Sequence, residues 1–182
     1  MKDNFETSLD LVLRSEGYEP DSDTNPYGYV NDPHDPGGMT QLGVTKRAWE
    51  DYVGHPVSED DMKALRPDTV SQFYREKYWD SCQCDMLPAG VDYCVMDFAV
   101  NSGPGRASRL LQEVVGVTKQ DGVIGPLTLD AVSLMTPTMI ITELSDARTA
   151  YLQSLSTFDR YGRGWLNRVS QVERAAFAMV SR

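Results

Sequence analysis

The chain has 182 residues and a formal net charge of −10, long enough for one domain that buries about two-thirds of its unfolded surface. Such acidity argues against nucleic acid, whose phosphates require clustered Lys and Arg, and against adsorption to an anionic membrane. No apolar run is long enough to span a bilayer. The start, MKDNFETSLD, lacks the basic and apolar regions of a secretory signal. The expectation is therefore a monomeric chain made in the cytosol, with no stable membrane association.

In chain order, the first element is an amphipathic helix. Phe5, Leu9, Val12 and Leu13 recur at helical spacing, and Glu16 continues that stripe. Gly17 stands where a helix stops on a left-handed residue. A carboxyl at the C-terminal end of a helix, partly buried, is disfavoured as a charge, which suits a general acid. A polar loop follows, with Asp21, Asp23, Asp32 and Asp35, then Gly37-Gly38 and Thr40. One carboxyl to protonate a leaving oxygen and a second group to handle water are the minimum for glycoside hydrolysis. On composition alone a solvated last-turn Glu and turn-forming aspartates are the favoured reading, since Asp, Asn, Gly and Pro are the usual loop residues.

The remaining elements read as helices. Thr45 caps residues 46–53 and Gly54 ends them. Ser58 with Asp61 forms a capping-box pattern. Pro67 opens a helix running to about Asp80. Pro88 to Val100 is the most continuously apolar stretch and reads as the central buried helix. Further helices are predicted at Arg106–Val115, from Pro126, at Thr138–Leu155 and at Leu166–Val180. Strand signals are sparse, with at most a small hairpin within Tyr27–Val44.

Three cysteines, Cys82, Cys84 and Cys94, with no signal peptide read as free thiols. Cys82-x-Cys84 lacks a second pair at metal-ligand spacing, and His34 among Asp32 and Asp35 fits no standard site. Asp21-x-Asp23-x-Asn25 with Asp32 imitates a calcium loop, but Pro26 replaces the required glycine and an Asp the final Glu. No metal and no cofactor are expected.

The segment Glu16-Gly17, then Gly28-Tyr29-Val30-Asn31-Asp32-Pro33-His34-Asp35-Pro36-Gly37-Gly38-Met39-Thr40 and Gly43-Val44-Thr45, resembles the signature of glycoside hydrolase family 108, the phage and bacterial N-acetylmuramidases. Residues Tyr18–Tyr27 form an insertion between the two signature glycines. The second half resembles the same family through Asp97, Val100-Asn101-Ser102-Gly103-Pro104-Gly105-Arg106-Ala107, Asp121-Gly122-Val123-Ile124-Gly125-Pro126 and Gly162-Arg163-Gly164-Trp165. It is often described as peptidoglycan-binding.

The resemblance implies a mainly α, lysozyme-like, two-lobed domain spanning 1–182, with a catalytic-signature half (1–87) and a peptidoglycan-binding-like half (88–182) in one fold. A cleft would lie between Gly28–Thr45 and Asn101–Gly105. Peptidoglycan glycan strands are the implied partner. Glu16 is expected to be the general acid, with Asp35 and Thr40 orienting the water and Asp32 as the alternative base. An inverting pair of carboxyls stands roughly 6.5–9.5 Å apart.

Tyr18, Tyr29 and Asn101 are candidate substrate-binding residues, with Tyr27 and Trp79 as further aromatic faces. The implied role is an endolysin that waits in the host cytoplasm until a pore opens. A lytic transglycosylase, a non-catalytic wall-binding or virion protein and a chitinase are the alternatives.

Overall fold

The computed structural model describes residues 4–31 and 38–181. It is mainly helical, with one small antiparallel sheet. Leu9–Arg75 forms one compact unit, and the start of the first helix, through Ser8, joins the segment beginning at Glu76 in the other.

In the first unit, helix α1 (Asn4–Ser15) places Leu9, Val12 and Leu13 in the core. It ends as its sequence dictates: Gly17 adopts φ +93, Tyr18 N–H donates to the Leu13 carbonyl at 2.9 Å, and Gly17 N–H donates to Arg14. This is a Schellman closure, which requires a residue without a Cβ penalty. The strand region is a three-stranded meander, β1 (Val30–Asn31), β2 (Met39–Gln41) and β3 (Val44–Thr45). Val30 pairs with Thr40, and Thr40 with Thr45.

Helix α2 (Lys46–Val53) carries the expected Thr45 cap and left-handed Gly54. Helix α3 (Glu59–Lys63) carries the Ser58–Asp61 capping box. Gln41, buried on β2, donates Nε2 to the carbonyls of Lys63 and Leu65. It thereby satisfies acceptors that the short helix leaves open. Helix α4 (Pro67–Tyr74) packs Val70, Phe73 and Tyr74 inward. The helix expected to reach Asp80 instead passes into a π-helical turn at Arg75–Trp79 and a 3-10 turn at Asp80–Cys82.

In the second unit, helix α5 (Val91–Ser102) is buried along most of its length. It starts later than its apolar run suggests, because Gly90 turns the chain at φ +84. A Cβ there would collide with the Ala176 carbonyl. Against α5 pack α6 (Pro104–Val114), α8 (Pro137–Gln153) and α9 (Phe158–Val180), while α7 (Pro126–Ser133) lies between α6 and α8 in the chain.

Asp97 on α5 is fully buried and lies between Arg148, at 2.7 Å, and Arg168, at 2.8 Å. Burial pushes its carboxyl up, but the two guanidiniums outweigh burial and hold it below the usual carboxylate range. Trp79 packs edge-on against Phe5 and donates to Asp85. It is fully buried, so it is a core residue and not a face for sugar. All three cysteines are reduced and buried.

Candidate active site

Glu16 follows the last residue of α1, and its N–H donates to Val12 and Leu13. The side chain is half-buried. It lies on Gly43, in the tight turn between β2 and β3. A Cβ on Gly43 would stand 2.7 Å from Glu16 Cγ, 2.9 Å from Glu16 Cβ and 2.7 Å from the Tyr74 hydroxyl. Only a residue lacking a side chain leaves room for the carboxyl stem here.

The turn has an unusual backbone. Leu42 and Gly43 both take positive φ, 52 and 73, as a two-residue turn joining twisted antiparallel strands requires. Glycine adopts this freely; leucine pays roughly 1–2 kcal/mol. Leu42 is held there by full burial of its side chain. Its N–H donates to Tyr27 at 3.0 Å, and its carbonyl accepts from the Tyr74 hydroxyl at 2.8 Å. A strained residue clamped on both backbone groups, next to the glycine on which the Glu16 stem rests, is the pattern of a pre-organised site.

The insertion is closed on itself. Glu19 N–H donates to the Pro26 carbonyl, and the rings of Tyr18 and Tyr27 stack at 6.1 Å and 11°. Arg66 covers Tyr27 at 4.2 Å. As a result Gly17 and Gly28 touch: a Cβ on Gly28 would stand 2.8 Å from the Gly17 carbonyl oxygen and 3.2 Å from that of Glu16. The two pieces of the signature, separated along the chain, are contiguous in space.

Among the expected site residues, Thr40 sits half-buried at the centre of β2. Tyr29 is fixed by both ends. Its N–H donates to Asn25 Oδ1, whose Nδ2 donates back to the Tyr29 carbonyl, and its hydroxyl donates to Glu59 at 3.0 Å. Lys63 lies over its ring. Desolvation and the Glu59 bond push the Tyr29 phenol above its ordinary value, which keeps it a donor. Tyr18 presents a face already stacked on Tyr27. Asp35 and its alternative Asp32 lie outside the described residues, as does His34. Asn101, in the last turn of α5, is exposed, and its Oδ1 accepts from Arg148 Nη2 at 2.8 Å. Leu42 and Tyr74 were not anticipated; the tyrosine reads in the sequence as one more residue of an apolar helix face.

The Glycosyl hydrolase 108 family model matches residues 9–103, which include Glu16, the turn beneath it and Asn101. The chain belongs to glycosyl hydrolase family 108. A second model, described as "Predicted Peptidoglycan domain", matches residues 106–170. The solved structure of Brucella abortus SagA is similar, with a TM-score of 0.85 and 44% identity over 100% of this chain and 98% of that one. No curated protein matches. This family 108 chain is thus a glycoside hydrolase acting on peptidoglycan, with a mainly α, lysozyme-like fold.

Proposed function

We propose that the chain is an N-acetylmuramidase of the endolysin type, cleaving the β-1,4 bond between N-acetylmuramic acid and N-acetylglucosamine with Glu16 as general acid. Glu16 gives its proton to the bridging oxygen as the glycosidic C–O bond breaks. Water attacks the anomeric carbon from the opposite face, with Thr40 orienting it and Asp35, or Asp32, taking its proton, so that configuration inverts. The observation that supports this reading is the seat of Glu16. Its stem rests on Gly43 over a strained, doubly clamped turn, and Gly17 and Gly28 close the signature around it. A carboxyl fixed in this way loses little freedom on reaching the transition state.

The test is clearing of permeabilised Gram-negative cells by wild type beside Glu16→Gln. The variant keeps the shape, removes the proton and is expected to lose about 10²–10⁴-fold in rate. Mass spectrometry of the digest should show reducing-end muramic acid. A 1,6-anhydro product would make the enzyme a transglycosylase, and near-wild-type lysis by Glu16→Gln would remove Glu16 from the chemistry. For the endolysin role, expressed protein should lyse its host only when a membrane pore is co-expressed; lysis without one would contradict that role.

A further inference from the structure

We infer that Arg106 and Arg109 form a carboxylate-binding subsite for the peptide stems of peptidoglycan, on a groove of about 460 Å³ in the second unit. The inference rests on peptidoglycan being the substrate. Both residues lie on α6, and both are exposed. Among the described residues neither forms an ion pair, although the chain carries ten more negative than positive charges. Glu113 lies on the same groove one turn further along and pairs with neither.

Each guanidinium is held in place by neutral groups. Arg106 lies over the Tyr151 ring at 4.7 Å, and Tyr151 packs edge-on against buried Phe98 at 5.7 Å. Arg109 donates Nη1 to the Gly105 carbonyl at 3.4 Å and lies across Gly122, where a Cβ would stand 3.2 Å from its Cζ. Gly122 is fixed in turn: its N–H donates to buried Gln112, which donates to Asp121, Val123 and Thr128. Two stretches of the family pattern, Gly103–Ala107 and Asp121–Pro126, therefore converge to hold two forked cations one helical turn apart.

Guanidinium forks match carboxylates in pairs of parallel hydrogen bonds. A strongly acidic protein needs such a local cationic site to hold an anionic polymer. In intact peptidoglycan the lactyl carboxyl of muramic acid is consumed in its amide bond to the peptide. The free carboxylates are those of the stem, and the groove is assigned to them.

The test uses the full chain carrying Glu16→Gln, so that sacculi stay intact, with and without Arg106→Gln/Arg109→Gln. Binding is measured by co-sedimentation with native sacculi and with sacculi whose peptide carboxylates have been converted to amides. Loss of the charge-assisted bonds is expected to weaken binding to native sacculi about tenfold, with an unchanged melting temperature. On amidated sacculi the two proteins should bind equally weakly. Equal binding to native sacculi by both proteins, or binding indifferent to amidation, overturns the inference. So does competition by amidase-stripped glycan strands as strong as by intact muropeptides, since stripped strands carry only the lactyl carboxylate. Release of reducing ends by the wild-type chain is followed in parallel. Binding without cleavage would sink the muramidase reading and leave the subsite standing, whereas cleavage with unaltered binding by the double variant would do the reverse.

Discussion

The Tyr74 hydroxyl donates to the Leu42 carbonyl across 2.8 Å in the core, and this bond holds a leucine in a backbone region normally left to glycine. Tyr74→Phe keeps the ring and removes the bond. The stranded carbonyl should cost about 1–3 kcal/mol of stability, read as a lower melting temperature. Because the Glu16 stem rests on this turn, lysis should also fall, by about 10- to 100-fold for a displacement of an ångström or less, at temperatures where the variant is fully folded. A destabilised variant with wild-type lysis would show that the clamp serves folding alone.

Gly43 and Gly54 both have left-handed φ, 73 and 79, and separate backbone strain from contact. A Cβ at Gly54 meets nothing within 4 Å, whereas one at Gly43 meets Glu16 and Tyr74 below 3 Å. Gly54→Ala should cost roughly 1–2 kcal/mol and leave lysis intact. Gly43→Ala should cost more and approach the activity of Glu16→Gln. Similar activity for the two alanine variants would mean that the Glu16 seat does not matter.

The buried Asp97 between Arg148 and Arg168 sets a pH limit. Its carboxyl is held below its unfolded value, so its stabilisation is complete above that value, about 3.9, and is lost as pH falls through the lower folded value. Asp92 has the opposite sign. Burial raises its carboxyl above the ordinary value despite bonds from Asn4, Tyr93 and Gly90, so its contribution grows as the pH falls. Thermal melts should show Asp97→Ala losing about 3–5 kcal/mol at pH 7, because it leaves two arginines unneutralised. The gap between wild type and Asp97→Asn should shrink on acidification below pH 4. A gap that widened in acid would contradict the assignment.

The Tyr18–Tyr27 excursion is closed by its own stacking, and its ends already touch. Removing it and joining Gly17 to Gly28 should give a folded enzyme that still clears permeabilised cells, though more slowly, because one of the two clamps on Leu42 is gone. The Leu42 N–H loses its Tyr27 partner in that variant, at a cost of about 1–3 kcal/mol, and Tyr29 loses its two bonds to Asn25. Loss of lysis with the fold intact would instead make Tyr18 or Tyr27 part of the substrate site.

Features written in local chemistry could be read directly from the chain. The Thr45 and Ser58 caps and the Gly17 and Gly54 stops fall where short-range hydrogen bonding puts them, and the Pro126 start falls where proline's fixed φ suits a first helical residue. What depends on distant partners could not. Helix α9 begins at Phe158, well before the expected Leu166, and runs through Gly162 and Gly164, residues that weaken a helix by their own propensity. In the fold Gly162 is the space that the Phe158 ring fills, where a Cβ would stand 2.6 Å from the ring. The π-helical turn after Tyr74 has no local signature. In the site, Glu16 was visible from its stripe and its motif. The support under it was not, since Leu42 and Tyr74 are 32 residues apart and acquire meaning only once they meet.

The contact between Gly17 and Gly28 also bears on how such enzymes are found. A search pattern that demands the two signature glycines as consecutive letters passes over a chain whose glycines are neighbours only after folding. Proximity in space, measured across whatever lies between two motif fragments, is the better ruler for gathering further members, and the intervening segment becomes a slot where length can vary while the chemistry stays put.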